Sequence, residues 1–279
     1  MGEITAAAVK ALREKTGLPM MDCKKALTEA GGSEEQAIEL LRKSGKKTME
    51  SRAGRTTSSG RIQIYTSLEK GIGAMIDIRC ESDPVATNQE FIQLANDLVT
   101  QLAEGPGAAT PDELLDQPSP SNPSQPLRQQ FDDLNNKIRE VFKLQRIVRV
   151  DAPCGGYAHH NAASAVLLQV ENGNETLAKD ISMHIAAMRP SALGVDDLDQ
   201  EKVAKEREIL AEAARAEGKP ENIIDKMVDG RMKNYYAEQC LCEQPFVKDD
   251  SKTVGQVAEE AGMKLVSFVH WELTGGNEE

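Results

Sequence analysis

The sequence predicts an α+β protein, because its apolar residues follow two different periods in separate stretches of the chain. Helical spacing runs through the first 45 residues, an alternating period of two begins near residue 62, and a highly charged helical pair follows near residues 199–240. Apolar residues make up 39% and charged residues 28% of the 279 positions, which is typical of a globular protein with its own core.

The amino-terminal residues 1–47 are predicted to form a small three-helix module. The first helix ends at Gly17, since glycine tolerates the left-handed conformation at a helix end. Pro19 suits the start of the second helix, and Ser33 opens the third with a Ser-Glu-Glu-Gln capping pattern. The third helix is predicted to end before Gly45. A bundle this small buries little surface, so we expect it to serve recognition.

Residues 48–60 are predicted to be a basic linker. Seven basic residues lie between Arg42 and Arg61 against one acid, Glu50, and we interpret the segment as a solvated linker. A contact with an acidic partner or with RNA, through residues such as Lys46 and Lys47, is the alternative. The chain as a whole has a formal charge of −12, which repels a phosphate backbone and disfavours general nucleic-acid binding.

Residues 61–144 are predicted to form a first α+β subdomain. Alternating apolar residues from Ile62 to Cys80 indicate a β-hairpin, and a helix is predicted from about Asn88. Residues 105–126 contain six of the twelve prolines, so we expect an extended or disordered loop there.

Residues 145–194 and 241–279 are predicted to form a second α+β subdomain with alternating strands of its own. A helical hairpin over residues 195–240 interrupts it. The hairpin turns at Gly218-Lys219-Pro220, and a turn this short makes its two helices antiparallel. The two subdomains each begin with a hairpin followed by a helix, so we expect them to be similar in build.

The sequence contains no basic amino-terminal region followed by an apolar segment, and no run of 18 apolar residues. We therefore expect a cytoplasmic protein that neither enters nor crosses a membrane. No Walker, dinucleotide-binding, metalloprotease or nucleophile-elbow motif is present, so we expect no cofactor, no bound metal and no enzymatic activity. A metal-dependent enzyme that uses Cys154, His159 and His160 is the alternative.

Ordered sequence blocks resemble the bacterial elongation factor Ts family. The first two are KALREKTG at Lys10–Gly17 and MMDCKKAL at Met20–Leu27. The others follow in the family's order: Cys80–Ala86, Tyr157–His159, Lys226–Lys233, Gln244–Val247 and Ser251–Gln256. The resemblance covers nearly the whole chain apart from the proline-rich segment.

This resemblance implies a guanine-nucleotide exchange factor that binds elongation factor Tu, both GDP-bound and nucleotide-free, without binding nucleotide itself. It also implies a ubiquitin-associated-like three-helix module, a core of two related α+β subdomains with antiparallel sheets, and an inserted helical hairpin. The hairpin resembles the family's dimerisation region and is the candidate surface for a homodimer. An adaptor that binds other partners through the three-helix module is the alternative function.

Two groups of candidate site residues follow from the resemblance. In the module, Leu12, Arg13, Met20 and Met21 match residues that grip a helix of the partner's nucleotide domain. The simpler explanation of the two methionines is that they fill the module's core. Adjacent helical residues point about 100° apart, however, so we expect at least one to be exposed.

The second group is Ser82-Asp83-Pro84-Val85 with His159. At the stretch that matches Ser82–Val85 the family has Thr-Asp-Phe-Val. The side chains of that stretch approach the partner's magnesium site and help to dislodge the ion. Pro84 replaces the aromatic residue and has no ring to wedge between partner side chains. His159 matches a position near the partner's phosphates, although Ala162-Ala163 follows where Gly-Arg or Gly-Lys is expected. A plain strand-to-helix turn and a loop histidine are the simpler explanations.

Overall fold

A computed structural model describes residues 4–218 and 220–273. Helices and antiparallel sheets both contribute to its core, which confirms the predicted α+β class. The chain forms an amino-terminal helical module, two subdomains built on three-stranded sheets, and a helical hairpin. Lys219, at the predicted hairpin turn, and residues 274–279 of the predicted second subdomain lie outside the described residues.

The amino-terminal module consists of three helices: α1 (Ala6–Thr16), α2 (Met20–Glu29) and α3 (Glu34–Arg52). The Thr5 and Ser33 side chains cap α1 and α3 by accepting backbone N–H bonds, and Gly17 ends α1 with φ of +69°. The module's buried apolar core is contributed by all three helices: Val9, Leu12, Cys23, Ala26, Leu27, Ala30, Ala37 and Leu41.

The third helix continues past Gly45, so its predicted end is wrong, and it covers residues 48–52 of the predicted linker. Glycine costs about 1 kcal/mol inside a helix, but here it allows a close helix–helix contact. A Cβ atom at Gly45 would lie 2.3 Å from Cγ of Asn136. Tertiary packing therefore outweighs the local helix-stop signal.

The first subdomain contains the sheet β1 (Ser59–Ser67), β2 (Ile72–Cys80) and β5 (Lys143–Val150), in the order β1-β2-β5. All its pairings are antiparallel, and Ser59 pairs with Cys80 at one end of the β1-β2 hairpin. Three helices accompany this sheet: the single turn α4 (Asp83–Ala86), α5 (Gln89–Glu104) and α7 (Leu127–Ile138). The Asn88 side chain caps α5.

The proline-rich segment is ordered, so the prediction of an extended or disordered loop is wrong. It forms a short helix α6 (Pro111–Leu115) and a two-stranded ribbon of β3 (Pro118–Ser119) and β4 (Asn122–Pro126). Pro111 occupies the first turn of its helix, where no backbone N–H is needed. Leu114 is fully buried in the subdomain core, which fixes the segment in place.

The second subdomain repeats the build of the first. Its sheet contains β6 (Cys154–Ala158), β7 (Ser164–Glu171) and β10 (Lys264–Glu272), with β7 in the centre as β2 is in the first sheet. The remaining elements are α8 (Glu175–Met188), the ribbon β8 (Pro245–Phe246) and β9 (Asp249–Thr253), and α11 (Val254–Glu260).

Equivalent backbone hydrogen bonds close the two ribbons. The N–H of Leu127 donates to the carbonyl of Gln117 at 2.8 Å, and that of Val254 donates to the carbonyl of Gln244 at 3.0 Å. The predicted similarity of the two halves is confirmed, and the proline-rich segment is the counterpart of the β8-β9 region.

The helical hairpin consists of α9 (Gln200–Ala216) and α10 (Glu221–Gln239), which pack along a narrow apolar seam. Ile209 and Ile223 stay exposed, and ion pairs such as Arg207–Asp229, at 2.7 Å, lie on its surface. The foot of the hairpin is held by backbone bonds, because the N–H of Leu241 donates to the carbonyl of Ala192. No helix within the described residues is long and apolar enough to cross a membrane.

The two three-stranded sheets pack face to face through a cluster of buried residues: Ile62, Met75, Cys154, Ala165 and Leu167. A fully buried carboxylate, Asp77, lies beside this interface. Arg79 donates to it at 2.6 and 2.9 Å, and Arg146 donates at 3.1 Å. Arg146 also stacks 4.5 Å from the centre of the Trp271 ring in the other sheet. The buried charge is therefore paired and hydrogen-bonded.

Asp77→Asn should lower the free energy of unfolding by about 3 kcal/mol, because it removes the charge of a fully buried carboxylate that accepts bonds from two arginines. Asp229→Asn removes one partner of an exposed ion pair and should cost less than about 1 kcal/mol. Urea unfolding followed by circular dichroism measures both. Equal losses in the two variants would contradict the structural role given to Asp77.

Candidate partner-binding surface

Residues 82–85, here called the Asp83 turn, follow β2 and include most of the single helical turn α4. Ser82 is the extended residue that precedes α4, and Asp83 and Pro84 are exposed at its start. Proline fits this position because the first turn of a helix leaves its N–H groups unpaired in any case. The turn therefore presents a carboxylate on a stiffened backbone.

Hydrogen bonds hold the Asp83 turn from two sides. The Ser59 hydroxyl at the start of β1 donates to Oδ1 of Asp83 at 2.7 Å. On the other side, the Glu140 carboxylate accepts the Ser82 hydroxyl at 2.5 Å and the N–H groups of Glu81 and Ser82 at 3.1 Å each. Bonds to a carboxylate are among the stronger ones in proteins, so the turn is fixed in the isolated chain.

The Cys80 thiol lies beneath the turn and takes part in its structure rather than in chemistry. Burial raises the pKa of Cys80 to about 12, and the thiol lies 3.3 Å from the carbonyl of Ser82. A thiol with this pKa stays protonated at neutral pH and is a poor nucleophile.

Residues 159–162, here called the His159 turn, connect β6 to β7. The N–H of Ala162 donates to the carbonyl of His159 at 2.8 Å, and Ala162 adopts a positive φ of 56°. The Tyr157 hydroxyl lies 2.8 Å from Nδ1 of His159, and the exposed His160 ring packs 4.3 Å away. His159 is therefore a half-buried ring whose orientation is fixed by a neighbouring phenol.

Strand β1 is hydrogen-bonded to both turns. Its residue Ser59 holds Asp83, and the N–H of Ile62 donates to the carbonyl of Ala162 at 2.8 Å. These two anchors are three residues apart, which is about 10 Å along a strand. One strand thus anchors both turns, although they are far apart in the sequence.

In the module, the two methionines are exposed and the predicted leucine is not. Met20 and Met21 in the first turn of α2 are 49% and 72% exposed, and Arg13 is exposed as well. The core-filling explanation of the methionines is therefore wrong, because Cys23, Ala26 and Leu27 fill that side of the core. Leu12 is only 1% exposed and packs in the module's core, beneath this surface. We call Arg13, Met20 and Met21 the methionine surface.

Comparison with known proteins decides the family. A sequence profile described as elongation factor TS matches residues 81–275. The chain belongs to the elongation factor Ts family.

Full-length relatives with the name elongation factor Ts agree. That of Thioalkalivibrio sulfidiphilus is 40% identical over 287 residues, which cover 99% of this chain and 94% of the relative. That of Marinobacter nauticus is 40% identical over 279 residues, with 100% and 93% covered. That of Aquifex aeolicus is 39% identical over 284 residues, with 96% and 97% covered. This elongation factor Ts family member is therefore a translation elongation factor.

Sequence patterns did not identify two residues that fix the Asp83 turn, Ser59 and Glu140. Ser59 is 24 positions from Asp83, and Glu140 is 58 positions from Ser82. No periodicity or motif connects positions so far apart, and only the antiparallel pairing of β1, β2 and β5 brings them together.

The structure does not support two of the alternatives, a metal-dependent enzyme and an RNA contact through the basic segment. Within residues 4–218 and 220–273, no three His, Cys, Asp or Glu side chains are grouped so that they could hold a metal ion. Cys154 is buried between the sheets, where burial raises its pKa to about 11.

The arginines of the basic segment, the candidates for an RNA contact, bind acceptors within the chain: Arg42 to Asp133, Arg52 to the carbonyl of Arg139, Arg55 to Glu81 and Arg61 to the carbonyl of Ala86.

Leu12→Ala should destabilise the module by about 3 kcal/mol, since it opens a cavity in a small core. Met21→Ala truncates an exposed side chain and should change stability by less than about 0.5 kcal/mol. Amide hydrogen exchange of α1 and α2, which reports opening of the module separately from the core, checks both values. Similar protection in the two variants would contradict the burial of Leu12.

Proposed function

We propose that this elongation factor Ts family member is a guanine-nucleotide exchange factor for elongation factor Tu. It binds the GDP-bound and nucleotide-free forms, disturbs the Mg²⁺/phosphate site and promotes GDP release so that GTP can rebind. The observation that carries this proposal is that one strand, β1, is bonded to both the Asp83 turn and the His159 turn, at anchors about 10 Å apart. That spacing suits two contacts on one nucleotide site.

Nucleotide exchange of this kind needs no covalent chemistry from the chain. Mg²⁺ holds GDP by bridging phosphate and protein oxygens, so a deformed magnesium site holds both less tightly. The factor only has to bind the deformed state best, and GDP then weakens its binding to the same extent. A thousandfold change in a dissociation constant corresponds to about 4 kcal/mol, which a few well-placed contacts supply.

The exposed groups of the two turns have complementary roles in this proposal. Asp83 brings a carboxylate with a fixed position to the magnesium side, where hard oxygen ligands and negative charge both act on the ion. His159 approaches the phosphate side with its ring held by Tyr157. The methionine surface anchors the partner, because methionine side chains adapt to the shape they meet.

The wider assignment follows from the same proposal. The protein acts in the cytoplasm, where elongation takes place, with no cofactor or metal of its own and without binding nucleotide directly. A homodimer forms through the helical hairpin, whose exposed Ile209 and Ile223 are available to a second copy. An enzymatic role is not part of the proposal.

Asp83→Ala and His159→Ala should each lower the rate of GDP release from elongation factor Tu by about tenfold, the equivalent of about 1.4 kcal/mol. Stopped-flow fluorescence of labelled GDP measures the rate. Asp116→Ala, which removes an exposed acid of the same subdomain, should match the wild type. Pro84→Phe should leave release unchanged or faster with a typical bacterial partner. Wild-type rates in all three site variants would show that the contact surface is elsewhere.

Met20→Ala with Met21→Ala should raise the partner concentration at half-maximal exchange by about fivefold and leave the maximal rate nearly unchanged, since truncated interface side chains cost about 1 kcal/mol. Met188→Ala is the matched control, because Met188 is 46% exposed but lies on α8 of the second subdomain. A lower maximal rate at an unchanged half-maximal partner concentration would contradict the anchoring role of the methionine surface.

A further inference from the structure

The turn after α7 lies between the two surfaces that the proposed function assigns to the partner. Arg139 ends α7 in the left-handed conformation, with φ of 69°. Its guanidinium forms an ion pair with Asp22 in the first turn of α2, next to the methionine surface. Its carbonyl accepts the Arg52 side chain of α3 at 2.9 Å. One residue of the core is thus bound to two helices of the module.

The next residue, Glu140, faces the other surface. It makes three hydrogen bonds with the Asp83 turn and its preceding residue, through the Ser82 hydroxyl and the N–H groups of Glu81 and Ser82. The attachment is reciprocal, because the N–H of Val141 donates to the Glu81 carboxylate at 2.8 Å. Two consecutive residues therefore connect α2 to the Asp83 turn.

The module and the core do not fill all the space between them at this place. A groove of about 300 Å³ lies between the module and the end of α7, and Asp22, Arg52 and Arg139 line it. On its far side, Arg42 of α3 binds Asp133 of α7 through bonds of 3.1 and 3.0 Å. The Asp22–Arg139 pair joins α2 to the core across the groove, so it is the contact nearest the methionine surface among those that set the angle between the module and the core.

We propose that Arg139 and Glu140 are positioning residues for nucleotide exchange. They hold the methionine surface and the Asp83 turn at a fixed spacing, so that binding through the module brings Asp83 against the magnesium site. This inference rests on the proposed exchange function and adds the link between its two contact surfaces. Without this link the module still binds the partner, but the Asp83 turn is no longer held in a fixed position against the nucleotide site.

The size of the expected effect follows from the exposure of the groups. The Asp22 and Arg139 side chains are 47% and 50% exposed, so their ion pair is worth at most about 1 kcal/mol and its loss should slow exchange three- to fivefold. Glu140 makes three charge-assisted bonds with a half-buried carboxylate, and Glu140→Gln should slow exchange about tenfold.

The test measures GDP release from elongation factor Tu by the full chain as a function of partner concentration. Asp22→Asn and Arg139→Gln should each lower the maximal rate three- to fivefold. The partner concentration at half-maximal exchange should change less than about twofold. Arg139→Lys should retain the wild-type rate, because the ion pair uses a single nitrogen, Nη2. Asp116→Asn breaks an exposed ion pair with Arg128, also on α7, and should have no effect.

A double-mutant cycle with Asp83→Ala decides whether the link acts through the Asp83 turn. If it does, adding Asp22→Asn or Arg139→Gln to Asp83→Ala should cause no further loss of rate. Losses that multiply in the double variants would overturn the inference, and so would an Arg139→Lys rate as low as that of Arg139→Gln. Unfolding curves confirm that each variant is folded, and the two sides of the ion pair give independent readings.

The same experiment separates this inference from the function it rests on. A wild-type chain that does not accelerate GDP release would overturn both the proposed function and the link. A wild-type chain that accelerates release, with Asp22→Asn, Arg139→Gln and Glu140→Gln all at the wild-type rate, would overturn the link alone.

Discussion

The face-to-face packing of the two three-stranded sheets is the constraint on which the rest of the structure depends. Ile62 of β1 is fully buried between the sheets, and its backbone N–H holds the His159 turn of the other subdomain. The same strand begins at Ser59, which holds Asp83. Because buried interfaces of this kind are close-packed, the two anchor points on β1 do not shift relative to the other sheet without opening the core. The candidate surface is therefore as rigid as the sheet packing beneath it.

The repeated build of the subdomains explains why the candidate groups come from different connections. Both halves have a hairpin, a long helix, a two-stranded ribbon, a helix and a third strand, in that order. The first half contributes the connection that follows its hairpin, where α4 presents Asp83. The second half contributes the turn inside its hairpin, where His159 lies. The helical hairpin is inserted after α8, and the first half has only a short connection at the equivalent place, between α5 and α6. The same framework thus carries the α4 connection in the first half, and the His159 turn and the inserted helical hairpin in the second half.

Sequence patterns predicted the elements that local chemistry determines. The cap at Ser33, the helix start near Asn88 and the alternating strands agree with the structure, because a capping side chain and a pleated face act over a few residues. The patterns failed at Gly45 and in the proline-rich segment, where packing against Asn136 and burial of Leu114 outweigh local preference. In the candidate site, family motifs identified the exposed carboxylate and the histidine. Burial of Leu12 and the bonds from Ser59 and Glu140 depend on tertiary pairing, which motifs do not encode.

In the proposed function, Pro84 gives the Asp83 turn a preorganised backbone, where the resemblance to the family implies an aromatic residue that inserts into the partner. A phenyl ring contributes by filling a space in the partner, whereas proline contributes by restricting its own backbone. Ordering a free turn on binding costs about 1 kcal/mol or more for each residue fixed, and a turn already held by Ser59 and Glu140 avoids most of that cost. The free energy saved is available to deform the partner's site. In the proposed function, the bonds from Ser59 and Glu140 therefore compensate for the missing aromatic ring.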